Sequence, residues 1–247
     1  MKIAIMSDIH GNMDALDAVL KDIEKQHVDK IFLLGDYVMA GPEPIKTLEK
    51  IIELSSLENT EIIQGNTDLM IASYTDDLYE MLKTKAPIMA EALKNDVSIL
   101  NSTHKDFLKN LPVQKELEIE GIKFLLTHGS PRRNNEDILP TTTMEELNAM
   151  LQGVNADVIL CGHTHIPCGI QTENKKTVVN DGSVGRPFTE EAKACYLLIT
   201  IRDKKCLFEH QLINYDNIIA SKKLSQREFN GAERLANTLI NPTERHF

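Results

Sequence analysis

Tryptophan is absent from this 247-residue chain and aromatic residues make up only 5% of it, so aliphatic side chains must supply most of its core. Positive charge is also short: 27 lysines and arginines face 37 acidic residues, a formal net charge of -10. That balance excludes the broad basic field needed to hold nucleic acid or an anionic membrane, although a local anionic substrate stays allowed. No apolar run approaches the ~20 residues of a spanning helix. The first residues lack the basic, apolar and small-residue order of a secretory leader, and a cytoplasmic location is expected. Cysteine is sparse, and Cys161, Cys168, Cys195 and Cys206 form no C-x-x-C pair. They read as reduced, buried or half-buried thiols. Cys161 reads as a small core residue, with metal ligation as the alternative.

What the chain does have is a β-α rhythm. Lys2 to Met6 reads as a strand, and Leu16, Val19, Leu20 and Ile23 recur at helical spacing with Asn12 as a plausible cap. Ile31 to Leu34 repeats the strand, followed by a helix with Pro44 in its first turn and Ile45, Leu48 and Ile52 on one face. Glu61 to Ile63 is a third short strand. Three such units in succession predict an α/β fold with a parallel sheet and right-handed crossovers. Residues 68–111 read as a helical cap beside the site, broken at Pro87, with Met70, Met81, Leu82, Met89 and Leu93 as packing residues. Val113 to Glu120 and Ile122 to Leu126 form a hairpin. Met144 to Leu151 is a helix. Asp157 to Leu160, Thr177 to Val179, Ala194 to Ile201 and Leu207 to Ile213 are strands, and Ile218 to Leu239 is a charged helical tail. The whole, 1–247, is expected to be one domain.

Each of five strand-like runs ends in a polar cluster: Asp8-Ile9-His10-Gly11, Gly35-Asp36, Gly65-Asn66, His128-Gly129 and Gly162-His163-Thr164-His165. Strand carboxyl ends are where open α/β sheets bind ligands. Carboxylate, amide oxygen and imidazole are the donors of a site for Mn²⁺, Fe or Zn²⁺ rather than Ca²⁺. A lone Gly-Asp or His-Gly is ordinarily a turn. Gly-His-Thr-His is more specific, because two imidazoles flanking a small polar residue after a buried strand add little packing. Jointly, the clusters predict two divalent cations about 3.5–4 Å apart. Asp36 is the natural bridge. Asp8 with His10, and His163 with His165 around an averted Thr164, leave their strands at matching spacing. Asn66 donates oxygen without adding charge, and His128 completes the second metal. His27, His104, His210 and His246 carry no such pattern and read as solvated or structural.

The ordered set of clusters resembles the calcineurin-like metallophosphoesterase superfamily along nearly the whole chain. The segments Gly35 to Pro42 and Asn180 to Pro187, with Tyr215-Asp216, resemble its small bacterial and archaeal branch. The resemblance implies a four-layer α-β-β-α sandwich of two mixed sheets with the site at one edge. It also implies one metal on Asp8, His10, Asp36 and His165, and the other on Asp36, Asn66, His128 and His163. Two features depart from the pattern. Met39-Ala40 stand where the protein Ser/Thr phosphatase and symmetrical tetraphosphatase branches carry Asp-Arg, which argues against protein phosphatase activity. Thr67 stands where many relatives place a histidine thought to protonate the leaving oxygen. Without that acid, leaving groups stable as anions are favoured over alkyl monoesters. Asp68 is one alternative source of the proton.

Arg132, Arg133 and Arg186 are candidate phosphate grips, with solvated loop residues as the alternative reading. The expected activity is hydrolysis of a phosphodiester or nucleotide anhydride, by in-line attack on phosphorus of a hydroxide bridging the two cations. Asp36, Asn66 and His128 are the catalytic candidates. Mn²⁺ is the first expectation, with Fe, Zn²⁺ or Ni²⁺ as alternatives. The partner expected is a small phosphorylated molecule, a nucleotide among the options, with neither nucleic acid nor membrane. A homodimer is one way to bury the tail and the methionine-rich segment. A phosphomonoesterase or protein phosphatase, and a non-catalytic scaffold of the same fold, are the competing functions.

Overall fold

The computed structural model describes residues 1–243 of the chain. In chain order the elements are β1 (Lys2–Met6), α1 (Met13–Gln26), β2 (Lys30–Leu33), α2 (Pro44–Ser55), β3 (Thr60–Ile62) and α3 (Asn66–Ala72). There follow α4 (Asp76–Lys85), α5 (Pro87–Ile99), α6 (Ser102–Asn110), β4 (Gln114–Ile119), β5 (Ile122–Thr127) and α7 (Met144–Met150). The rest comprises β6 (Val158–Cys161), β7 (Cys168–Gln171), β8 (Thr177–Asn180), β9 (Ala194–Arg202), β10 (Lys205–Ile213), α8 (Asn217–Ser225) and α9 (Ala232–Thr238). They form two five-stranded sheets, ordered β10-β9-β1-β2-β3 and β4-β5-β6-β8-β7. Both sheets are mixed: β1, β2 and β3 run parallel, as do β5, β6 and β8, with antiparallel strands at the margins.

Strand alternation sorts the core into layers. Ile3 and Ile5 of β1, with Phe32 and Leu34, face Phe124, Leu126, Val158 and Leu160 of the second sheet. Ala4 and Met6, from the opposite face of β1, meet Leu16 and Val19 of α1, Leu48 of α2 and Leu235 of α9. On the far side, Leu125, Ile159 and Val178 pack under Leu147 and Met150 of α7. The result is the α-β-β-α sandwich expected, with every parallel strand delivering its carboxyl end to one edge.

Details differ from the sequence expectation. Residues 68–111 form four helices, and Ile71, Leu93 and Leu108 share the buried cluster beneath α1 and α2. Met81 is 53% exposed on α4, not a packing residue. The tail is two helices rather than one, because the chain turns at Gly231, whose φ of 92° suits glycine. The short β7 is an addition. All four cysteines are free, and Cys161 lies in the outer apolar cluster of the second sheet with Ile159. Among the described residues no helix is long and apolar enough to cross a membrane.

Candidate metal centre

Asp8, Asp36 and Asn66 leave the ends of β1, β2 and β3 in the first sheet, while His128, His163 and His165 leave β5 and β6 in the second. The two sheets therefore meet at the site. Their connecting turns are unusually tight: Asp8 (φ 52°), His10 (47°), Asp36 (57°), His163 (68°) and His165 (60°) all lie in the left-handed region. Non-glycine residues there store backbone strain, tolerated where the surrounding fold dictates it. Gly65 is required by the same crowding. A Cβ on it would drive into the Asp36 carboxylate.

Hydrogen bonds orient each donor. The Nδ1 atoms of His10, His128 and His165 lie 3.0, 2.7 and 2.6 Å from the carbonyl oxygens of Met39, Leu34 and Arg186. A carbonyl only accepts, so each Nδ1 carries a proton and each Nε2 faces the centre. Asp8 and Asp36 are divided likewise. Asp8 Oδ2 accepts from Ser7 Oγ (2.5 Å) and from the N–H of His163 (2.9 Å). Asp36 Oδ1 accepts from the N–H of Thr67 at 2.9 Å. The other oxygens face inward: Asp8 Oδ1 is 3.2 Å from His165 Nε2 and 3.8 Å from the Nε2 atoms of His10 and His128. Asp36 Oδ2 is 3.4 Å from His128 Nε2 and 3.8 Å from His10 Nε2. Asn66 Oδ1 lies 3.1 Å from His128 Nε2.

This arrangement fits divalent cations. Asp8 Oδ1 is buried with no hydrogen-bond partner among the described residues, and the Nε2 atoms of His10 and His165 face one another at 3.1 Å. Two lone pairs at that separation repel unless positive charge sits beside them. Two ligand groups stand out, Asp8-His10-His165 and Asp8-Asp36-His128, each with donor atoms within 4.8 Å of one another. Both carboxylates thus face both sides, so Asp8 as well as Asp36 is placed between the imidazole sets. His163 is beside His128, ring centroids 5.3 Å apart, but its Nε2 lies 3.2 Å from Asp137 at the open side.

The electrostatics of the centre follow from burial and mutual proximity. Burial works to raise Asp8, yet His165, His128 and His10 overcome it and hold the carboxyl well below the usual range. Asp36 behaves the same way, drawn down to about 2 against burial by His128 and His10. Burial, reinforced by His165, lowers His10 to about 4. His128 resists burial and rises to about 10 because Asp36 and Asp8 flank it.

Other expected residues have different surroundings. Arg132 donates through Nε and Nη2 to Glu136 at 3.1 and 2.6 Å, so its guanidinium is already engaged. Arg133 is exposed. Arg186 is only 4% exposed, lies over Phe188 and close to Met89 Sδ, and its charge reaches His10. Phe188 in turn stacks on His165, centroids 4.5 Å apart. Asp68 accepts the N–H groups of Gly65, Asp36 and Tyr37 at 2.8 to 3.0 Å, which makes it the buckle of the β2 and β3 turns. Thr164 is buried and turned to Asn180. His210 Nε2 bonds the Asn180 carbonyl, and His27 ends α1. His104 is buried on α6, whereas His246 lies outside the described residues.

Sequence reasoning passes over the positioning roles of Asp68, Ser7 and Asp181. Ser7 Oγ lies 2.7 Å from Asp181 Oδ1, which links the Asn180 to Pro187 loop to Asp8. Ser7 and Asp181 are marked in the sequence only as polar residues just past a buried strand, and Asp68 only as an acidic residue in the first turn of α3.

Residues 1–204 match the model of the calcineurin-like phosphoesterase superfamily domain, and the chain belongs to that superfamily. It is 31% identical over 238 residues to an uncharacterized protein of Methanocaldococcus jannaschii, covering 90% of this chain and 91% of that one. In fold it is similar to a hypothetical protein of Pyrococcus horikoshii OT3, with TM-score 0.86, 24% identity and coverage of 97% and 98% of the two chains. A metallophosphoesterase from Sphaerobacter thermophilus gives TM-score 0.79 at 23% identity over the same shares.

Proposed function

We propose that this protein is a divalent-metal-dependent phosphoesterase that cleaves phosphodiester or nucleotide-anhydride bonds at a binuclear centre. One observation carries the reading: three Nε2 atoms and one oxygen from each of Asp8 and Asp36 converge in a buried centre, each of these five side chains oriented from behind by a protein partner. His10, Asp8 and His165 would hold one cation, and Asn66 and His128 the other, with Asp36 facing both sets; His163, beside His128, would be the remaining ligand. Mn²⁺ is the preferred occupant. Two bound cations supply Lewis acidity to the phosphoryl oxygens and to the attacking water.

The remaining chemistry belongs to the chain. Asn66, half-buried at the start of α3, orients a non-bridging oxygen beside His128. Arg186 contributes a fixed positive charge on the His10 side. Thr67 supplies no acid: its N–H serves Asp36 and its hydroxyl lies 3.4 Å from the Val38 carbonyl. Asp68 faces three backbone N–H groups rather than a departing oxygen. Substrates whose leaving group departs as a stable anion fit this site best. The test is a panel with Mn²⁺ or with chelator: a bis-aryl phosphate, a dinucleoside polyphosphate and a phosphoserine peptide. Metal-dependent turnover of the first two, abolished in Asp36→Asn, is expected. A scaffold would turn over none, and faster phosphopeptide hydrolysis would reverse the substrate assignment.

A further inference from the structure

The loop that carries the carbonyl partner of His10 is itself strained and is held from outside. Met39 has φ 83° and Ala40 φ 65°, two consecutive non-glycine residues in the left-handed region. Neither side chain supplies a bond that compensates. Instead, the N–H of Ala40 donates to Asp96 Oδ2 of α5 at 3.0 Å. Arg227, between α8 and α9, donates from Nη1 to the carbonyl of Gly41 at 2.8 Å and from Nη2 to Asp96 Oδ1 at 2.5 Å. Asp96 is fully buried and the Arg227 side chain is 9% exposed. Arg227 is fixed in turn, with Nη2 also on Asn95 Oδ1 at 2.5 Å and its guanidinium over the Phe229 ring. Residues more than a hundred positions apart thus clasp both sides of one strained peptide segment.

We infer that Asp96 and Arg227 are positioning residues for the metal centre, acting through the Met39–Gly41 loop to hold the Met39 carbonyl against His10 Nδ1. A buried ion pair is weak support for stability in itself, because desolvation offsets its attraction. Its value here is directional. It fixes a conformation that Met39 and Ala40 avoid when free, and the carbonyl so fixed keeps the His10 proton on Nδ1 and its Nε2 lone pair inward. The inference rests on the reading of His10 as a metal ligand for its consequence, though not for its geometry.

The test uses full-length protein with ¹⁵N-labelled histidine, and the His10 ring signals are assigned with a His10→Gln variant. Metal-free wild type should show His10 as the Nδ1–H form with a slowly exchanging ring proton. Arg227→Gln should lose that protection while the His128 ring proton, bound to Leu34, is retained. One equivalent of Mn²⁺ should bind at least about tenfold more weakly, with Arg227→Lys recovering most of the loss. A folded Arg227→Gln protein that keeps both the His10 ring proton and wild-type Mn²⁺ binding overturns the inference, as does simultaneous loss of the His10 and His128 signals. If Arg227→Gln does not fold, Asp96→Asn takes its place: loss of the His10 signal alone supports the clasp, and retention of both signals overturns it. Loss of the His10 proton in a protein whose wild type binds no Mn²⁺ would uphold the clasp and refute the metal reading.

Discussion

Under the proposed reading, His128 is a residue whose charge must change when metal binds. Raised to about 10, against burial, by Asp36 and Asp8, its ring would carry a proton at neutral pH that a cation has to displace. Mn²⁺ addition at pH 7.5 in weak buffer should therefore release about one proton per chain from this ring, and metal affinity should climb as pH rises toward 10. The stability of the metal-free fold runs the other way. A histidine raised in the folded state contributes in full below its unfolded value of 6.5 and fades as pH climbs through about 10. Thermal melts from pH 7 to 10 should show a falling Tm with chelator and a flatter one with Mn²⁺. At Gly65, substitution by alanine puts a methyl into the Asp36 carboxylate. Gly65→Ala should lose metal-dependent activity by 100-fold or more on the order-of-magnitude scale of a misplaced catalytic group, measured beside its circular dichroism.

At the scale of elements, α1 depends on Asn12. Its Oδ1 accepts from the Ala15 N–H at 3.2 Å, and its Nδ2 donates to the Gly185 carbonyl at 2.8 Å, one residue before Arg186. Asn12→Ala should cost about 1–2 kcal/mol, read as a lower urea midpoint at unchanged m. This cap is legible in the sequence, as are the β1, β2 and β5 strands, because apolar runs bounded by glycine and polar clusters have one sensible reading. The misses have physical reasons. Cys168-Gly169-Ile170-Gln171 has too few apolar residues to announce β7, which exists by pairing with β8. The tail reads as continuous because its charge masks the break that Asn230-Gly231 makes. The ligands are legible by residue type. Their partners are not: nothing local marks Asp96 or Arg227 as neighbours of Ala40, since only the tertiary fold brings those segments together.

Across the whole molecule, the centre takes Asp8, His10, Asp36 and Asn66 from one sheet and the other imidazoles from the second, so a bound cation pins the sheets at one edge. The inter-sheet core of Ile3, Ile5, Phe124 and Leu160 lies behind it and needs no ion. Chelator-treated protein should stay folded, and Mn²⁺ at a hundred times its Kd should add about 2.7 kcal/mol per independent site, seen as a concentration-dependent Tm. Arg186→Met should raise KM for a bis-aryl phosphate severalfold, while Arg132→Ala should change it less than twofold because Glu136 already holds that guanidinium, within the ~0.5 kcal/mol typical of surface changes.

The strand order β10-β9-β1-β2-β3 puts the earliest strand at the middle of its sheet, hydrogen-bonded on one side to β9. During synthesis, β1 leaves the ribosome long before that neighbour is translated, and Arg227 emerges later still. A growing polypeptide can pair β1 with β2 but cannot finish the pocket. Under the proposed reading, a chain cut short before β5 and β6 would lack His128, His163 and His165 and could hold no complete centre, however well β1 and β2 had paired.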